Sequence, residues 1–491
     1  MVVVLTDIDE ARTSGHGRLR RIYTVTAFVI LASLDNVAIG LVPPLYSPIA
    51  ADLQVAESTV SFATAAGYLV AAVVAVGWAY AGDRSDRRVL LVAGTLLWAG
   101  GTGATALAST YTAFLLLQLA AAVGLGAVGS VGFSVVSDLI APRRRGLVMS
   151  LFGLSQGIGT VAGTLVGGLL GAADWHRPFL VLAGLGVLAS MAYLPTYNIR
   201  RGQSEPELAG LLAGGGRYEH RITLADVPRL LARRSNVWLV LQGVTAQLVF
   251  GSLVWLPRLL QAKAEAQGYP QESAIVVGTI FATIFQLGGL LSIAGGLLGD
   301  RLQRRTPRGR AVVAAAGVLA GIPFYVALFF LPLRIDAPLD ADTGAVASAV
   351  LGSVLTQPAM TLSFLAAVLA LALTSANAPN WFALIADLNL PEHRGSIYSL
   401  GNLANGVGRA AGNGLVGAAF GALSRSVPPP WNFAVGLAAF QLFFVPTGAM
   451  YLRVARTAPA DIDHVTATLR QRALSAAAGK PSAGGDNIAG S

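Results

Sequence analysis

Residues 138–159 read DLIAPRRRGLVMSLFGLSQGIG, and residues 387–408 read DLNLPEHRGSIYSLGNLANGVG. The two stretches share Asp-Leu, a proline, an Arg-Gly step and a closing Gly-x-Gly at a constant offset of 249. A shorter pair precedes them. Asp83-Arg84-Ser85-Asp86-Arg87-Arg88 is matched 217 positions later by Asp300-Arg301-Leu302-Gln303-Arg304-Arg305. The offset grows by 32 because the connection from Arg334 to about Gln357 is longer than its counterpart. The chain is therefore an internal duplication, and each loop is flanked by long apolar blocks.

Those blocks decide the solvent. Of 491 residues, 54 % are hydrophobic and only 12 % charged, about half the usual charge of a soluble chain. Twelve apolar segments stand between charged or Pro/Gly-rich breaks, at about 22–46, 58–81, 89–110, 112–140, 147–172, 178–198, 236–260, 274–299, 311–333, 356–386, 396–422 and 432–453. Each is long enough to cross a hydrocarbon core of ~30 Å at ~1.5 Å per residue. The pattern excludes a soluble enzyme and a nucleic-acid binder despite a net charge of +9. The first block has a basic flank (Arg18, Arg20, Arg21) but is too long for a signal peptide and contains Asp35, so it reads as a retained helix. Cysteine is absent, which removes disulfides, thiolate metal sites and cysteine nucleophiles.

With the N-terminus inside, 28 of the 34 Lys and Arg residues fall on inner segments and 5 on outer ones, while Arg409 lies within a span. The bias predicts an inner (cytoplasmic) membrane protein with both termini cytoplasmic, its basic surface facing anionic lipid. The expected organisation is a cytoplasmic tail at 1–21, a six-helix bundle at 22–198, a cytoplasmic linker at 199–235, a second six-helix bundle at 236–454 and a disordered tail at 455–491. Within the linker, RITLADVPRLLARR (221–234) mixes apolar and basic residues and reads either as a short surface helix or as a solvated connection. The fold class is an all-α membrane protein of twelve transmembrane helices in two pseudo-symmetric bundles, an arrangement that puts a substrate site between the halves.

The D-R-x-x-R-R loops resemble the cytoplasmic signature of the major facilitator superfamily. A glycine usually stands four residues before the Asp; Gly296 fills that place in the second copy and Ala79 departs from it in the first. Three stretches are similar to the Spinster lipid-transporter family: LASLDNVAIGLVPPLYSPIAADL, SVVSDLIAPRRRGLVMSLFGLSQGIG and NWFALIADLNLPEHRGSIYSLGNLANGVGRAAG. The resemblance implies transport of lysophospholipids or related amphipathic molecules. It also implies a charged R-x-x-x-G-x-G-E pair in span 4, serving proton coupling. Here Gly124 and Gly126 keep the glycines, but Ala120 and Ala127 occupy the charged places, and Asn36 stands where the family commonly has arginine.

Deep charges are few. Asp35 lies thirteen residues into span 1, and Arg409 thirteen residues into span 11. A lone charge at the bilayer centre costs at least ~2.5–3.5 kcal/mol, so both are expected to face the interior, water or each other. An apolar surround favours a neutral carboxyl and a nearby guanidinium favours a charged one. An acid between those influences can take up and release a proton. Asp35 is thus the candidate proton-coupling residue, with Arg409 pairing with it in one conformation or binding an anionic head group; a static Asp–Arg tether is the bland alternative.

The superfamily pattern further implies a cytoplasmic gate. Asp83 and Asp300 would cap helices across the half-to-half interface, Asp138 would pair with Arg87 or Arg88, and Asp387 with Arg304 or Arg305. Spans 1, 4, 7 and 10 would line the cavity, whose polar candidates are Asn36, Gln242, Gln247, Asn377 and Asn380, with Trp255 toward the outer end. Glycines at small-xxx-small spacing (Gly159, Gly163, Gly167; Gly408, Gly412) permit close helix approach and are expected to form a rocking interface. Pro379 should kink span 10. The five histidines sit in tails or loops and no phosphate-binding loop is present, so neither enzyme chemistry, metal, cofactor nor ATP is expected. The reading is a monomeric, proton-coupled transporter of amphipathic small molecules; the alternatives are a multidrug proton antiporter and a non-transporting membrane sensor or scaffold.

Overall fold

A computed structural model describes residues 15–82, 84–132, 135, 145–196, 228, 231–339, 341–389 and 391–477. In the first half, α1 (Gly15–Leu41), α2 (Tyr46–Asp52), α3 (Glu57–Gly82), α4 (Arg87–Thr105), α5 (Tyr111–Ala127), α6 (Arg145–Gly171) and α7 (His176–Tyr193) follow one another. The second half holds α8 (Arg234–Ser252), α9 (Leu256–Glu265), α10 (Gln271–Phe285), α11 (Ser292–Gln303), α12 (Gly309–Phe330), α13 (Thr343–Thr356), α14 (Pro358–Ser375), α15 (Asn377–Leu388), α16 (Pro391–Leu423), α17 (Trp431–Gln441) and α18 (Phe444–Ala477). Each of the twelve predicted segments carries one of these helices or a broken pair of them. Eight helical stretches are long and apolar enough to cross a membrane on composition alone. Below, the arginine-rich helix ends are called inner and the opposite ends outer.

Local chemistry sets the boundaries. The Asp86 carboxylate accepts from the Arg88 N–H at 2.9 Å and starts α4, and the Thr110 hydroxyl starts α5 by accepting from Ala113. Pro43 and Pro44 interrupt span 1 after Leu41, and span 7 passes through one 3-10 turn at Leu253–Trp255 before Pro257. Span 10 divides at Ala376, three residues before Pro379. Two segments differ from the sequence reading. The long connection after span 9 contains α13, packed against α10 and α14 with Leu355 86 % exposed; its apolar run is short, which is why it read as loop. The last helix runs on through Ala477, so 455–477 is helical where a disordered tail was expected.

Outward-facing leucines such as Leu188, Leu297, Leu298 and Leu452 are exposed in numbers that water would not tolerate. With lipid outside, close packing rather than hydrophobic burial must hold the helices together. A Cβ on Gly163 would lie 2.1 Å from the Val37 carbonyl oxygen, and one on Gly412 would lie 2.2 Å from that of Leu248. The two contacts are duplicates, α1 on α6 and α8 on α16. Gly159 against Asn36 recurs as Gly408 against Gln247, and Gly40 against Thr160 recurs as Gly251 against Arg409. The glycine stripes therefore seat helices inside each half, and the expectation that they form the rocking surface is corrected. Gly163→Ala and Gly412→Ala are each expected to lower stability by about 1–3 kcal/mol. Gly77→Ala, where a Cβ meets open space, serves as the neutral comparison in thermal unfolding in detergent.

Candidate functional site: two deep charges beneath an outer seal

Asp35 is buried in α1, about two turns before the Pro43-Pro44 break, and its Oδ1 accepts from the Asn36 side-chain amide at 2.8 Å. Asn36 is itself pressed against Gly159 of α6. Arg409 belongs to the other half. Its guanidinium stands 4.9 Å from the centre of the Tyr68 ring of α3, and its Nε is buried without a hydrogen-bond partner. In this conformation no ion pair joins Asp35 to Arg409 among the described residues; the carboxylate is held by Asn36 of its own helix and the guanidinium faces α3.

Toward the outer side lies a polar cluster that sequence reading missed. The Tyr46 hydroxyl and the Asn413 side chain lie 3.2–3.3 Å apart, Asn413 Nδ2 donates to the Ser61 carbonyl at 3.1 Å, and the Trp255 indole N–H donates to the Asn413 carbonyl at 3.3 Å. Thr64 Oγ1 and Tyr68 Oη are buried without partners. Trp255 is fully buried, its ring 4.7 Å from Tyr46, 5.0 Å from Phe420 and 6.3 Å from Phe433. It seals the site in this conformation instead of lining a cavity.

The bonds that join the halves gather at these outer ends. Arg258 of α9, nearly buried, donates to Glu57 of α3 at 2.8 Å and to Glu265 at 3.1 Å, and lies over the Phe433 ring. Gln261 Nε2 donates to the Pro44 carbonyl at 2.9 Å and Gln271 Nε2 to Ser47 Oγ at 2.9 Å. Small residues complete the contact: Gly168 meets Thr279, Gly406 meets Ala72, Gly414 meets Ala65 and Gly417 meets Ser61. These run along α3–α16 and α6–α10, the same pairing in both copies. In the outer loop after span 5, a hydrogen bond from the His176 ring at 2.8 Å holds the Asp174 carboxyl below the ordinary carboxylate range.

At the inner ends the bonds found run within a half. Arg310 donates to Asp300 at 2.8 Å and to Asp387, tying α11, α12 and α15 together. The expected partners of Asp387, Arg304 and Arg305, are exposed instead; Arg310, five residues beyond the motif, takes the role. Asn236 of α8 and Asn389, which ends α15, exchange amide hydrogen bonds at 2.8 and 2.9 Å. In the first half, Arg87 is buried, and Arg88 donates to the Thr196 carbonyl at 3.0 Å. The predicted gate residues Asp83 and Asp138 lie outside the described residues.

The remaining amides are mostly committed to helix contacts. Asn380 Nδ2 donates to the Gly295 carbonyl at 3.2 Å and the Ala376 carbonyl at 2.8 Å, Asn377 accepts from the Tyr451 hydroxyl, and Gln242 donates to the Leu239 carbonyl at 3.1 Å while its Oε1 stays unpartnered. Gln247 is half-buried against Gly408. No group of three or more His, Asp or Glu side chains that could hold a metal occurs among the described residues.

The profile of the Major Facilitator Superfamily matches residues 28–359. Protein spinster homolog 3 of Danio rerio is 29 % identical over 274 residues, 52 % of this chain and 53 % of that protein. Sphingosine-1-phosphate transporter SPNS2 of the same organism is 27 % identical over 277 residues, covering 54 % and 53 %. The chain thus spans about half the length of the curated relatives it matches. The crystal structure of a bacterial homolog to the human lysosomal transporter Spinster, inward-facing and unoccupied, superposes with a TM-score of 0.70 at 19 % identity, covering 90 % of this chain and 98 % of that one.

Proposed function

The chain belongs to the major facilitator superfamily, and from that premise we propose that it is a secondary transporter moving lysophospholipid or similar amphipathic molecules by alternating access, coupled to protons through Asp35. The observation that carries this reading is the pairing of an outer seal between the halves with two deep charges that lie in different halves. Asp35 offers a site for a proton. Arg409 Nε and the Tyr68 and Thr64 hydroxyls offer buried hydrogen-bonding atoms without a protein partner. Such donors suit a single anionic head group, while the surrounding Val, Leu, Phe and Ala suit an acyl chain. The similarity to a sphingosine-1-phosphate transporter supports a substrate of that amphipathic class. With Ala120 and Ala127 in span 4, the proton falls to Asp35.

In this reading, removal of the outer seal accompanies closure of the inner ends. Asp300, Arg310 and Asp387 brace one half there, and Asp83, Asp138, Arg87, Arg88, Arg304 and Arg305 are proposed to meet when the inner side closes. The test is uptake into proteoliposomes of labelled lysophospholipid and, separately, of a cationic drug, each with and without a pH gradient. Lysophospholipid uptake that rises with the gradient and falls about tenfold or more in Arg409→Gln is the expected outcome. Preference for the cationic drug, unaffected by Arg409→Gln, would make the protein a multidrug antiporter. Movement of neither solute would leave a sensor or scaffold.

A further inference from the structure

At the inner ends of α8 and α18, a cleft of about 330 Å³ is lined by Arg234, Val237, Trp238, Arg453, Arg456 and Thr457. Three arginines and no carboxylate face one space. Arg453 lies over the Trp238 indole, 5.2 Å from the ring centre, and the Ser235 and Thr457 hydroxyls bond each other at 2.6 Å beneath it. None of the three arginines is in an ion pair among the described residues; the next acids on α18, Asp461 and Asp463, begin more than a turn farther along. Arg234 is also the first residue of α8, whose preceding residue supplies no side-chain cap, so the positive end of that helix adds to the same field.

Arg301, Arg304, Arg305 and Arg308 are, like the cleft arginines, exposed, from the end of α11 along the connection to α12, as topology alone would require. Those of the cleft line one space with no carboxylate among its lining residues. The surface immediately deeper in the membrane is apolar and exposed: Leu241 continues the face of Arg234, Val237 and Trp238 on α8, and Val445 and Leu452 continue that of Arg456 on α18. A charged cleft beside an exposed apolar surface, with an indole at the boundary, has the polarity order of a phospholipid: anionic head, interface, acyl chains.

We propose that this cleft is a binding site for the head group of an inner-leaflet anionic phospholipid, its phosphodiester oxygens held by Arg234, Arg453 and Arg456 and its chains along Leu241, Val445 and Leu452. Three guanidinium groups match two phosphates better than one, so a diphosphate lipid such as cardiolipin should bind more tightly than phosphatidylglycerol. The site is separate from the deep charges and does not depend on what the protein transports.

Retention of lipids by the purified full chain, measured by native mass spectrometry, tests the proposal. The parent should retain cardiolipin about tenfold or more better than phosphatidylcholine, with phosphatidylglycerol between them. The double variant Arg453→Gln/Arg456→Gln should lose about tenfold in cardiolipin retention, and Arg304→Gln/Arg305→Gln, which removes equal charge elsewhere, less than about twofold. Equal retention of cardiolipin and phosphatidylcholine by the parent overturns the proposal and needs no variant to fold. Equal losses in the two double variants overturn it in favour of diffuse surface charge. Displacement of cardiolipin by inorganic phosphate alone overturns the lipid and leaves a free-anion site.

Discussion

Asp35→Asn is expected to reduce pH-gradient-driven transport to the background of protein-free vesicles while leaving binding of the transported solute within about twofold. The substitution keeps the size of the side chain and an oxygen able to accept the 2.8 Å bond from Asn36, and removes only the titratable proton. Because Asp35 is buried beside Asn36, which meets Gly159 at the tight α1–α6 contact, a larger residue would disturb packing, whereas asparagine tests charge alone. A pH-sensitive dye inside proteoliposomes, read alongside equilibrium binding of a labelled lysophospholipid, separates the two effects. Undiminished proton-driven uptake in the variant would sink the assignment of Asp35.

Arg258→Gln is expected to open the outer side. Arg258 is nearly buried between Glu57 of one half and Glu265 and Phe433 of the other. Removing one partner of a fully buried pair costs ~3–5 kcal/mol, but these carboxylates are a quarter to a third exposed, which reduces the loss to roughly 1–3 kcal/mol. The penalty falls on the sealed state alone, since water reaches both carboxylates once the halves part. The sealed-to-open ratio should therefore drop by about 5–150-fold. The absence of native cysteine gives a clean measurement. Ala65→Cys, at the contact with Gly414, should react faster with an impermeant thiol reagent when combined with Arg258→Gln. Leu107→Cys, already exposed, should not change. Equal rates at position 65 with and without Arg258 would count against a seal.

The helices and their duplication were legible in the sequence because lipid demands long apolar runs and loops demand charge. Partners were not. Arg310 looked like one more inner-side arginine, and only the adjacency of α11, α12 and α15 shows it bridging Asp300 and Asp387. Arg258 is, by sequence, one more outer-side charge, and the local cue to its role is Glu57 in the first turn of α3. Trp255 and Asn380 are polar residues at plausible depth, yet the indole closes a seal and the amide ties α15 to α11. Depth along a helix can be read from sequence, but the azimuth toward a neighbour across the bundle requires the packing.

The matched α1–α6 and α8–α16 contacts carry one more consequence. Superposing the copies places Asp35 on Ala246 and Arg409 on Thr160. The halves are duplicates in shape and opposites in charge: one has kept an acid, the other a base, and each has a neutral residue where its twin is ionised. Two identical halves would present two equivalent acids that had to be emptied in step. In the proposed coupling a single embedded acid gives one protonatable slot per cycle, so one proton per turnover is expected through Asp35, and a larger measured ratio would require a second titratable group elsewhere in the chain.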